Sequence, residues 1–424
     1  MKKETANIAV SMIGPLPPAW GGGGKWLGGG VSSHMQGLLP RLGEAGVRIE
    51  LLAENSSATR ATRFPDLPEV EIQHMIRSPG RLALLLANRG PRLARRMAMD
   101  PILRQVPWAQ RLRFLAQAAN FDHFLEQAAG HLLHIQRAYH RQYLCQAVCQ
   151  TTKRLLVTEQ SVNLLVEQPP KWIEQMIRTN YRRADRLIAV SNFVKEKMIA
   201  YGADPARITV IPNGVDTQFF YPGDATGARQ ELGLPRDAFL ILFSGNLIRR
   251  KGVDVLLRAF AQLVPEEQQP NLLVVGSGPE EGGLRTLTQE LGIASAVSFV
   301  GRQPLSTMPR WYQAADLFVM PSWAEGLSLA VLEAMGAGLP VVTTRPDTGN
   351  HDAVVDGVTG LLTSYGAVDE LSKALQLLLD RPTLTQEMGA AARRRAEESF
   401  EWEQIARATV DIYREMTLPS TTAK

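Results

Sequence analysis

Two glutamates eight residues apart form the sharpest chemical pattern in the chain. They lie in the segment 324–333, which follows a short apolar strand, and Ser328 is placed to cap a helix running to Gly338. Glu325 then lies in the loop above the helix start, and Glu333 lies about five residues in, roughly 7.5 Å along the axis. Two such carboxylates can accept hydrogen bonds from the hydroxyls of one ligand, while the first amides of the helix suit a phosphate. A pair of solvated surface charges is the alternative.

Three consecutive cations, Arg249, Arg250 and Lys251, indicate a second candidate site for an anion. They lie between a predicted strand and a predicted helix. Arginine binds phosphate as a bidentate fork and lysine as a point charge, so the trio suits a phosphorylated ligand. A solvated basic turn is the alternative.

Glycine-rich segments follow two of the predicted strands. Gly21–Gly30 contains seven glycines, and such a loop lets backbone amides approach an anion at a helix start. It is not a Walker A loop, because Lys25 is followed by Trp26. A loop without a ligand role is the alternative. The second segment, Gly276–Gly282, misses the dinucleotide-binding spacing by one residue and is weak evidence.

The elements that would position these residues alternate between short apolar runs and amphipathic stretches, a pattern typical of βαβ units in a parallel sheet. The runs predicted as strands are Ile8–Ile13, Val47–Ala53, Leu132–Ile135, Leu155–Thr158, Leu187–Val190, Ile208–Ile211, Leu240–Ser244, Leu272–Val275, Val297–Val300, Leu317–Met320 and Pro340–Thr344. The two sets of runs meet near residues 214–235, where Tyr221-Pro222-Gly223-Asp224 is typical of a linker. We therefore predict an α/β protein with two doubly wound domains, residues 1–214 and 215–399, facing a central cleft.

Composition excludes several other classes of protein. The 424 residues are 45% hydrophobic and 21% charged, unlike disordered, collagenous or small disulfide-framed chains. The net charge of +4 is too small for this length to indicate a nucleic-acid partner. Cys145 and Cys149 are predicted to be reduced core residues rather than a bridge. Since the sequence shows neither a secretory pattern nor an apolar run of spanning length, we expect a cytoplasmic protein.

The alternation stops between about residues 74 and 127, where we predict a helical insertion in the first domain. Residues Arg77 to Arg113 contain nine arginines and one acid, Asp100, interleaved with apolar groups. Such a stretch can lie on an anionic membrane surface, which would make the protein peripheral on the inner face of the membrane. The alternatives are a solvated lid over the cleft and a patch that binds an acidic partner. The prolines at 79, 91, 101 and 107 are expected to break any long amphipathic helix.

Taken in order, these motifs resemble the retaining glycosyltransferases of family 4, which have the GT-B fold of two Rossmann-like domains. The order is specific for the family but not for a substrate, and only the arginine-rich insertion has no counterpart. The resemblance is carried by Gly29-Gly30-Val31-x-x-His34, Ala184–Ser191, Arg207–Asp216, Lys251-Gly252-Val253-Asp254, the Glu325/Glu333 segment with Pro321-Ser322 before it, Gly338–Val342 and Gly357-x-Thr359-Gly360.

The resemblance implies transfer of a sugar from a UDP- or GDP-sugar with retention of configuration, without a cofactor or an essential metal. It implies a catalytic set of Lys251 at the pyrophosphate and Glu325 at the donor sugar, with His134 as a further candidate. We expect stabilisation of the leaving diphosphate rather than an enzymic nucleophile. Glu333 would hold the ribose and Gly30 would close over the donor. The remaining donor-binding candidates are Gly245, Asn246, Arg249, Arg250, Arg302, Gly326, Leu327, Ser328 and Leu329.

Three departures from the family pattern leave the substrate open. Asn246 stands where the family has an arginine, so one pyrophosphate cation is missing unless Arg249 or Arg250 replaces it. Residues 348–352 stand one position late for the family's Gly-Gly-x-x-Glu. In the first domain two histidines of the family are replaced by Gln136 and Gln160. The acceptor-binding candidates are Gly29, His34, Gln136 and Gln160.

Several alternatives therefore stay open. His134 is either a site residue or a satisfied buried histidine. The acceptor is unidentified, with lipid-linked compounds and cell-surface glycan precursors among the candidates. A nucleotide-sugar-binding scaffold or regulator without transfer activity is the alternative function, and a hydrolytic or phosphate-dependent GT-B enzyme is another. The last helix, within residues 400–424, is expected to pack back on the first domain, as in the family.

Overall fold

The computed structural model describes residues 8–14, 30–53, 62–64, 67–76, 78–136, 149, 151–160, 169–263 and 270–417. Contacts divide the chain into two compact units, one of Met1–Pro212 with Glu403–Lys424 and the other of Asn213–Trp402. Most of the predicted glycine loop, including Gly29, and also Cys145 and Arg77 lie outside the described residues.

The first unit is built on an eight-stranded sheet in the order β3-β4-β2-β1-β5-β6-β7-β8. Its strands are β1 Ala9–Gly14, β2 Arg48–Ala53, β3 Thr62–Phe64, β4 Leu67–His74, β5 Leu132–Ile135, β6 Arg154–Glu159, β7 Arg186–Ala189 and β8 Ile208–Val210. Every neighbouring pair is parallel except β3–β4, which is antiparallel. The helices are α1 Gly30–Glu44, α2 Pro79–Met99, α3 Trp108–Gln127, α4 Lys171–Arg183, α5 Asn192–Ala200 and, at the end of the chain, α14 Trp402–Thr417.

The second unit is built on a six-stranded parallel sheet in the order β11-β10-β9-β12-β13-β14. Its strands are β9 Leu240–Ser244, β10 Asn271–Val275, β11 Val297–Gly301, β12 Leu317–Met320, β13 Val341–Arg345 and β14 Gly360–Ser364. Its helices are α6 Ala225–Leu232, α7 Val253–Phe260, α8 Glu281–Glu290, α9 Met308–Ala314, α10 Leu329–Gly336, α11 Asn350–Ala353, α12 Val368–Asp380 and α13 Pro382–Ser399.

The central strands are buried along their whole length. All four residues of β5 and of β12, and all five of β9, are buried. Strands covered on both faces have continuous apolar sequences, so they could be predicted from the sequence. The prediction of two parallel-sheet α/β units is confirmed. Three strands were missed, β3, β4 and β14, because they are short, polar or begin at a glycine.

The arginine-rich insertion is helical, as predicted, but the prolines act differently from expectation. Helix α2 runs unbroken for 21 residues with Pro91 inside it, while Pro79 occupies its first turn. Pro107 is the N-cap of α3. The expectation that Pro91 would break a long helix was wrong, because Leu85, Gly90, Leu93 and Met97 form a buried stripe that holds α2 against the unit. Within the described part of the chain, no helix combines the length and apolar character needed to cross a bilayer.

Glycines after β10 allow two loops of the second unit to pass in close contact. Gly276 has a φ of +136°, and a Cβ added there would lie 1.8 Å from the carbonyl oxygen of Gly245. A Cβ on Gly278 would lie 2.2 Å from the carbonyl oxygen of Leu247. The segment that resembled a weak dinucleotide motif therefore has a packing requirement for glycine.

We expect the substitution Gly276→Ala to lower the free energy of unfolding of the second unit by on the order of 3 kcal/mol, since strain and overlap with the backbone add together. The matched control is Gly283→Ala in α8, where an added Cβ meets nothing within 4 Å. That change should stabilise by up to about 1 kcal/mol, the helix preference for alanine over glycine. Urea denaturation measures both, and equal stability of the two variants would contradict the packing role.

Candidate functional site

Three charged side chains meet in front of helix α10 in the second unit. Glu325 Oε1 lies 2.8 Å from Lys251 Nζ and 3.0 Å from the guanidinium of Arg250. Arg250 also donates to the carbonyl oxygen of Ala324. Both cations lie on the single 3₁₀ turn Arg249–Lys251 that follows β9, so the strand and its turn place them together. The structure thus joins Glu325 of the glutamate pair and two cations of the basic turn into one cluster.

Burial and ion pairing have opposite effects on the Glu325 carboxylate in this cluster. The Glu325 carboxylate has a side-chain exposure of 9%. Burial alone would raise the pKa of Glu325, but the Lys251 ammonium and the Arg250 guanidinium outweigh it and hold the pKa below its ordinary value. Glu325 is therefore ionised at neutral pH, and the cluster carries two positive charges and one negative charge.

The loop that carries Glu325 is fixed from two sides by backbone and amide hydrogen bonds. Asn213 donates from Nδ2 to the carbonyl oxygen of Leu327 at 2.7 Å. The Gly349 N–H donates to the carbonyl oxygen of Glu325 at 2.8 Å, and Glu325 pairs with Thr348 as an isolated parallel bridge. These contacts hold the carboxylate in front of α10 without using its own oxygens.

Asn350 supplies the next contact and also changes what the start of α10 can bind. Its Oδ1 accepts from the Ser328 N–H at 2.9 Å, and its Nδ2 donates to Thr343 Oγ1 at 3.2 Å. Ser328 is the N-cap, but its hydroxyl makes no capping bond. Since Asn350 already uses the Ser328 amide, the unoccupied amides for an anion are those of the first turn of the helix.

The predicted end of α10 also needs correction. The helix ends at Gly336 with Ala337 as its C-cap, and Gly338 follows in the left-handed region with a φ of +78°. Glu333 lies on the half-buried side of this helix, and the Tyr312 hydroxyl donates to its Oε2 at 2.7 Å. Burial raises the pKa of Glu333 to about 7, although the Tyr312 hydrogen bond lowers it. Tyr312 was missed because no local pattern connects it with Glu333, which lies 21 residues further along the chain.

The other donor candidates occupy varied positions in the second unit. Asn246, Arg249 and Arg302 are exposed, Gly245 is half-buried beside Lys251, and Leu329 opens α10. Gly326 and Leu327 are buried in the loop described above. In the first unit, Gly30 is the first residue of α1. Of the two arginines considered as replacements for the missing cation, Arg250 contacts Glu325, whereas Arg249 is exposed.

A buried polar network lies at the carboxyl ends of β5 and β6 in the first unit. His134 Nδ1 lies 2.7 Å from the Tyr413 hydroxyl and Nε2 lies 2.8 Å from Thr158 Oγ1. Gln160 donates to Gln136 Oε1 at 2.9 Å, and Gln136 is itself 3.4 Å from the His134 ring. The network thus links both glutamines with His134 and with the last helix, α14.

His134 has the surroundings of a structural residue. It is completely buried, and both of its ring nitrogens have partners. Burial, with a smaller contribution from nearby His34, lowers the pKa of His134 to about 3, so the ring is neutral at physiological pH. These contacts favour the buried-histidine alternative over the catalytic role expected from the sequence. His34 is buried on α1, and Gln160 is the partly exposed member of the network.

Family models match the two halves of the chain in tandem. The model described as Glycosyltransferase Family 4 matches residues 28–219, and the model described as Glycosyl transferases group 1 matches residues 224–395. The chain belongs to glycosyltransferase family 4. His134, Gln136, Thr158 and Gln160 lie in the range matched by the first model, and the Glu325 cluster lies in the range matched by the second.

Curated relatives of the chain are named as glycosyltransferases. The chain is 38% identical over 240 residues to D-inositol 3-phosphate glycosyltransferase 2 of Catenulispora acidiphila, covering 54% of this chain and 56% of the relative. It is 33% identical over 267 residues to D-inositol 3-phosphate glycosyltransferase of Kribbella flavida, covering 59% and 61%. The chain therefore spans roughly three fifths of the length of the curated relatives that it matches.

Solved structures share the fold over the whole chain. Sucrose-phosphate synthase of Thermosynechococcus elongatus matches with a TM-score of 0.80 and 23% identity, covering 97% of this chain and 99% of that one. Anabaena HepE, solved in complex with UDP and glucose, matches with a TM-score of 0.71 and 19% identity, covering 96% and 100%. The predicted GT-B fold of this family 4 chain is confirmed.

Because His134 is neutral when folded, we expect stability to fall on acidification. Between pH 6.5 and about 3 the unfolded chain binds a proton that the folded chain does not, so the free energy of unfolding declines as pH falls. The contribution of His134 is about 1.36 kcal/mol per pH unit. His134→Gln should lower the free energy of unfolding at pH 7 by about 1–3 kcal/mol, because Tyr413 and Thr158 lose their partner. The free energy of unfolding of this variant should then decline less steeply in acid than that of the wild type.

Urea denaturation at pH 4, 5, 6 and 7 measures this difference. His131→Gln, at an exposed histidine just before β5, controls for the loss of an imidazole as such. Parallel pH profiles for the wild type and His134→Gln would show that His134 is not held neutral by the fold.

Proposed function

We propose that this chain is an enzyme that transfers a sugar from a nucleoside-diphosphate sugar to a hydroxyl group of an acceptor, with retention of configuration. The observation that carries the proposal is the buried cluster of Lys251, Arg250 and Glu325 in front of α10. It lies in the part of the chain matched by the group 1 family model. Two cations and a helix N-terminus gathered around one carboxylate suit a ligand that has both a diphosphate and sugar hydroxyls.

The chemical role of the cations follows from where charge develops. When the bond between sugar and diphosphate breaks, negative charge accumulates on the departing diphosphate and positive charge on the sugar. Lys251 and Arg250 stabilise the diphosphate more strongly in the transition state than in the ground state. The Glu325 carboxylate accepts hydrogen bonds from the donor sugar and faces the positive charge. Arg250 thereby replaces the cation that Asn246 does not supply.

The nucleoside half of the donor is assigned to Glu333. A carboxylate on α10 can accept both hydroxyl hydrogens of a ribose, and the Tyr312 hydroxyl fixes its orientation. Since the pKa of Glu333 is about 7 with no nucleotide bound, binding that needs the carboxylate should strengthen as pH rises through that value. Exposed Arg302, at the end of β11, is a candidate contact for the base.

UDP-sugars are the first donors to test, with GDP-sugars second. Anabaena HepE has been solved with UDP-glucose, and it shares the fold of this chain at 19% identity. The curated relatives are named for D-inositol 3-phosphate, so an inositol phosphate belongs in the acceptor panel beside lipid-linked sugars and glycan precursors. On the acceptor side we assign contacts to Gln160 and, through it, Gln136.

We expect Lys251→Ala and Arg250→Ala to lower the turnover number by about 10²–10³, as for the loss of one group that stabilises developing negative charge. Arg249→Ala should have a smaller effect, since Arg249 does not contact Glu325. Arg258→Ala, at an exposed arginine of α7, is the control for lost surface charge and should stay within about twofold. The measurement is release of nucleoside diphosphate from each donor, with and without the acceptor panel.

The same assay tests two further parts of the proposal. Activity should persist in EDTA, because Lys251 and Arg250 perform the neutralisation for which other transferases use a metal. The anomeric configuration of the product, determined by NMR, tests retention. If no donor is turned over, even by slow hydrolysis, and Glu325→Ala alters only nucleotide-sugar binding, the chain is a binding protein without transfer activity.

We also propose that residues 99–113 of the arginine-rich insertion, from the end of α2 to the first turns of α3, bind an anionic membrane surface. Trp108 and Leu112 lie one turn apart at the start of α3 and are 81% and 75% exposed, and Met99 at the end of α2 is 66% exposed. Exposed Arg104, Arg111 and Arg113 lie in the same segment. Apolar side chains beside cations suit the boundary between lipid headgroups and acyl chains.

Liposome flotation tests the membrane proposal. The wild type should float with vesicles that contain anionic lipid and not with neutral vesicles. Trp108→Ser combined with Leu112→Ser should weaken the partition by at least about tenfold, since two exposed apolar side chains no longer enter the interface. Leu305→Ser, at an exposed leucine of the second unit, is the control. Equal flotation of the double variant would remove the basis for the proposal.

A further inference from the structure

A cavity of about 480 Å³ lies at the amino ends of β5 and β6 in the first unit. Its lining includes His131, directly before β5, and Thr152 and Lys153, directly before β6. Helices α2 and α3 supply the rest of its charged lining. The His134 network lies at the carboxyl ends of the same two strands, where parallel α/β sheets bind their substrates. The cavity is therefore at the other edge of the sheet from the candidate acceptor residues.

Ion pairs between α2 and α3 form one wall of the cavity. Asp122 Oδ2 lies 2.5 Å from the guanidinium groups of both Arg89 and Arg92, and Arg89 also reaches Glu126 at 2.6 Å. Asp122 is 5% exposed, whereas Arg92 is 49% exposed and lines the cavity. The Arg89 hydrogen bond holds the pKa of Glu126 below its ordinary value. Both carboxylates are thus satisfied by arginine, and Arg92 is held in place by its pair while it remains accessible from the cavity.

Lys153 contributes a further cation to the lining. Its ammonium donates to the carbonyl oxygen of Ala128 at 2.8 Å and to that of Gly130. An ammonium has three N–H donors, and these two carbonyls use two of them. Behind this loop Glu50 accepts from the N–H groups of Ala129 and Gly130. The Lys153 side chain is therefore fixed at the lining, to which α2 contributes Arg92 and Arg96.

The charges at this cavity favour an anion. Arg89, Arg92, Arg96 and Lys153 are the cations at or beside the lining, against Asp122, Glu126 and the more distant Glu50. Guanidinium groups bind phosphate oxygens as a fork, and the hydroxyls of Thr151 and Thr152 at the lining can donate to an ester or a sugar oxygen. The volume falls within the range of small-molecule sites and is far larger than one phosphate ion needs.

We propose that this cavity binds a phosphate monoester of the size of a sugar phosphate. Arg96 and Arg92 contact the phosphate, Lys153 compensates its second charge, and Thr152 with His131 contacts the organic part. The proposal concerns the first unit alone and does not rest on the proposed transfer reaction. A ligand at this edge of the sheet acts as an effector or an anchor rather than as the group that receives the sugar.

Isothermal titration with glucose 6-phosphate, glucose and inorganic phosphate tests the proposal on the full chain. Glucose 6-phosphate should bind saturably and more tightly than inorganic phosphate, and glucose should not bind. Arg96→Gln should weaken the binding of glucose 6-phosphate at least about tenfold, the value of one lost hydrogen bond to a charged group. Arg95→Gln, the neighbouring exposed arginine outside the lining, is the matched control. Lys251→Ala, a change at a proposed donor residue, should bind glucose 6-phosphate as the wild type does, because that residue lies outside the cavity.

Hydrogen exchange locates the ligand independently of any variant. Glucose 6-phosphate should slow amide exchange in residues 129–131 and 151–153. A vesicle arm distinguishes a free phosphate monoester from a lipid headgroup, because phosphatidic acid exposes a monoester and phosphatidylglycerol only a diester. Arg96-dependent binding to either glucose 6-phosphate or phosphatidic acid supports the proposal. It is overturned if neither ligand binds, if Arg96→Gln binds as Arg95→Gln does, or if the protected amides lie elsewhere.

Discussion

The ion pairs that join the buried Glu325 carboxylate to Lys251 and Arg250 are the interaction on which the arrangement of the candidate site in the second unit depends. An unpaired carboxylate at this depth would cost several kcal/mol, so the ions must meet in one geometry. The loop that carries Glu325 must therefore be held in place by its neighbours. Asn213, Asn350 and Gly349 fix the loop on which Glu325 lies, and the Thr344 hydroxyl donates to the carbonyl oxygen of Ser322 at the start of the same loop. These hydrogen bonds therefore support one ion cluster.

Glycine provides the other half of that support, because the cations lie on a turn that must pass close to its neighbours. Gly252, directly after Lys251, has a φ of +66°, and a Cβ there would lie 2.3 Å from the carbonyl oxygen of Pro321. Gly276 and Gly278 likewise leave room for the backbone of the loop that follows β9. Backbone contact on both sides of the basic turn limits where Lys251 can move, so an anion meets a charge already in position.

Much of the fold was predictable because buried parallel strands leave a continuous apolar signal, and Ser328, as the predicted cap, located the start of α10. The unpredicted parts depend on tertiary contacts. Pro91 is tolerated inside α2 because a buried stripe compensates for the lost hydrogen bond, and no local rule reveals that stripe's partner. Tyr312 and Asn350 act on residues 21 and 22 positions away in sequence, at distances set only by the packed sheet. The sequence around Asn213 is typical of a turn, although the Asn213 side-chain amide supports the Glu325 loop.

The two polar centres differ in the kind of selectivity they can provide. The cluster in front of α10 is charged and favours an anionic ligand through field strength. The network in the first unit is neutral, since burial keeps His134 uncharged and the replacements Gln136 and Gln160 carry both donors and acceptors. A neutral network discriminates between ligands by the positions of their hydrogen-bond donors and acceptors. A ligand that leaves a buried polar group of the network without a hydrogen bond binds more weakly. Tyr413 completes it from α14, so a change in the last helix reaches the glutamines through His134. Under the proposed assignment of Gln160 and Gln136 to the acceptor, acceptor preference is tied to the packing of the C-terminal helix as well as to the residues that contact the acceptor.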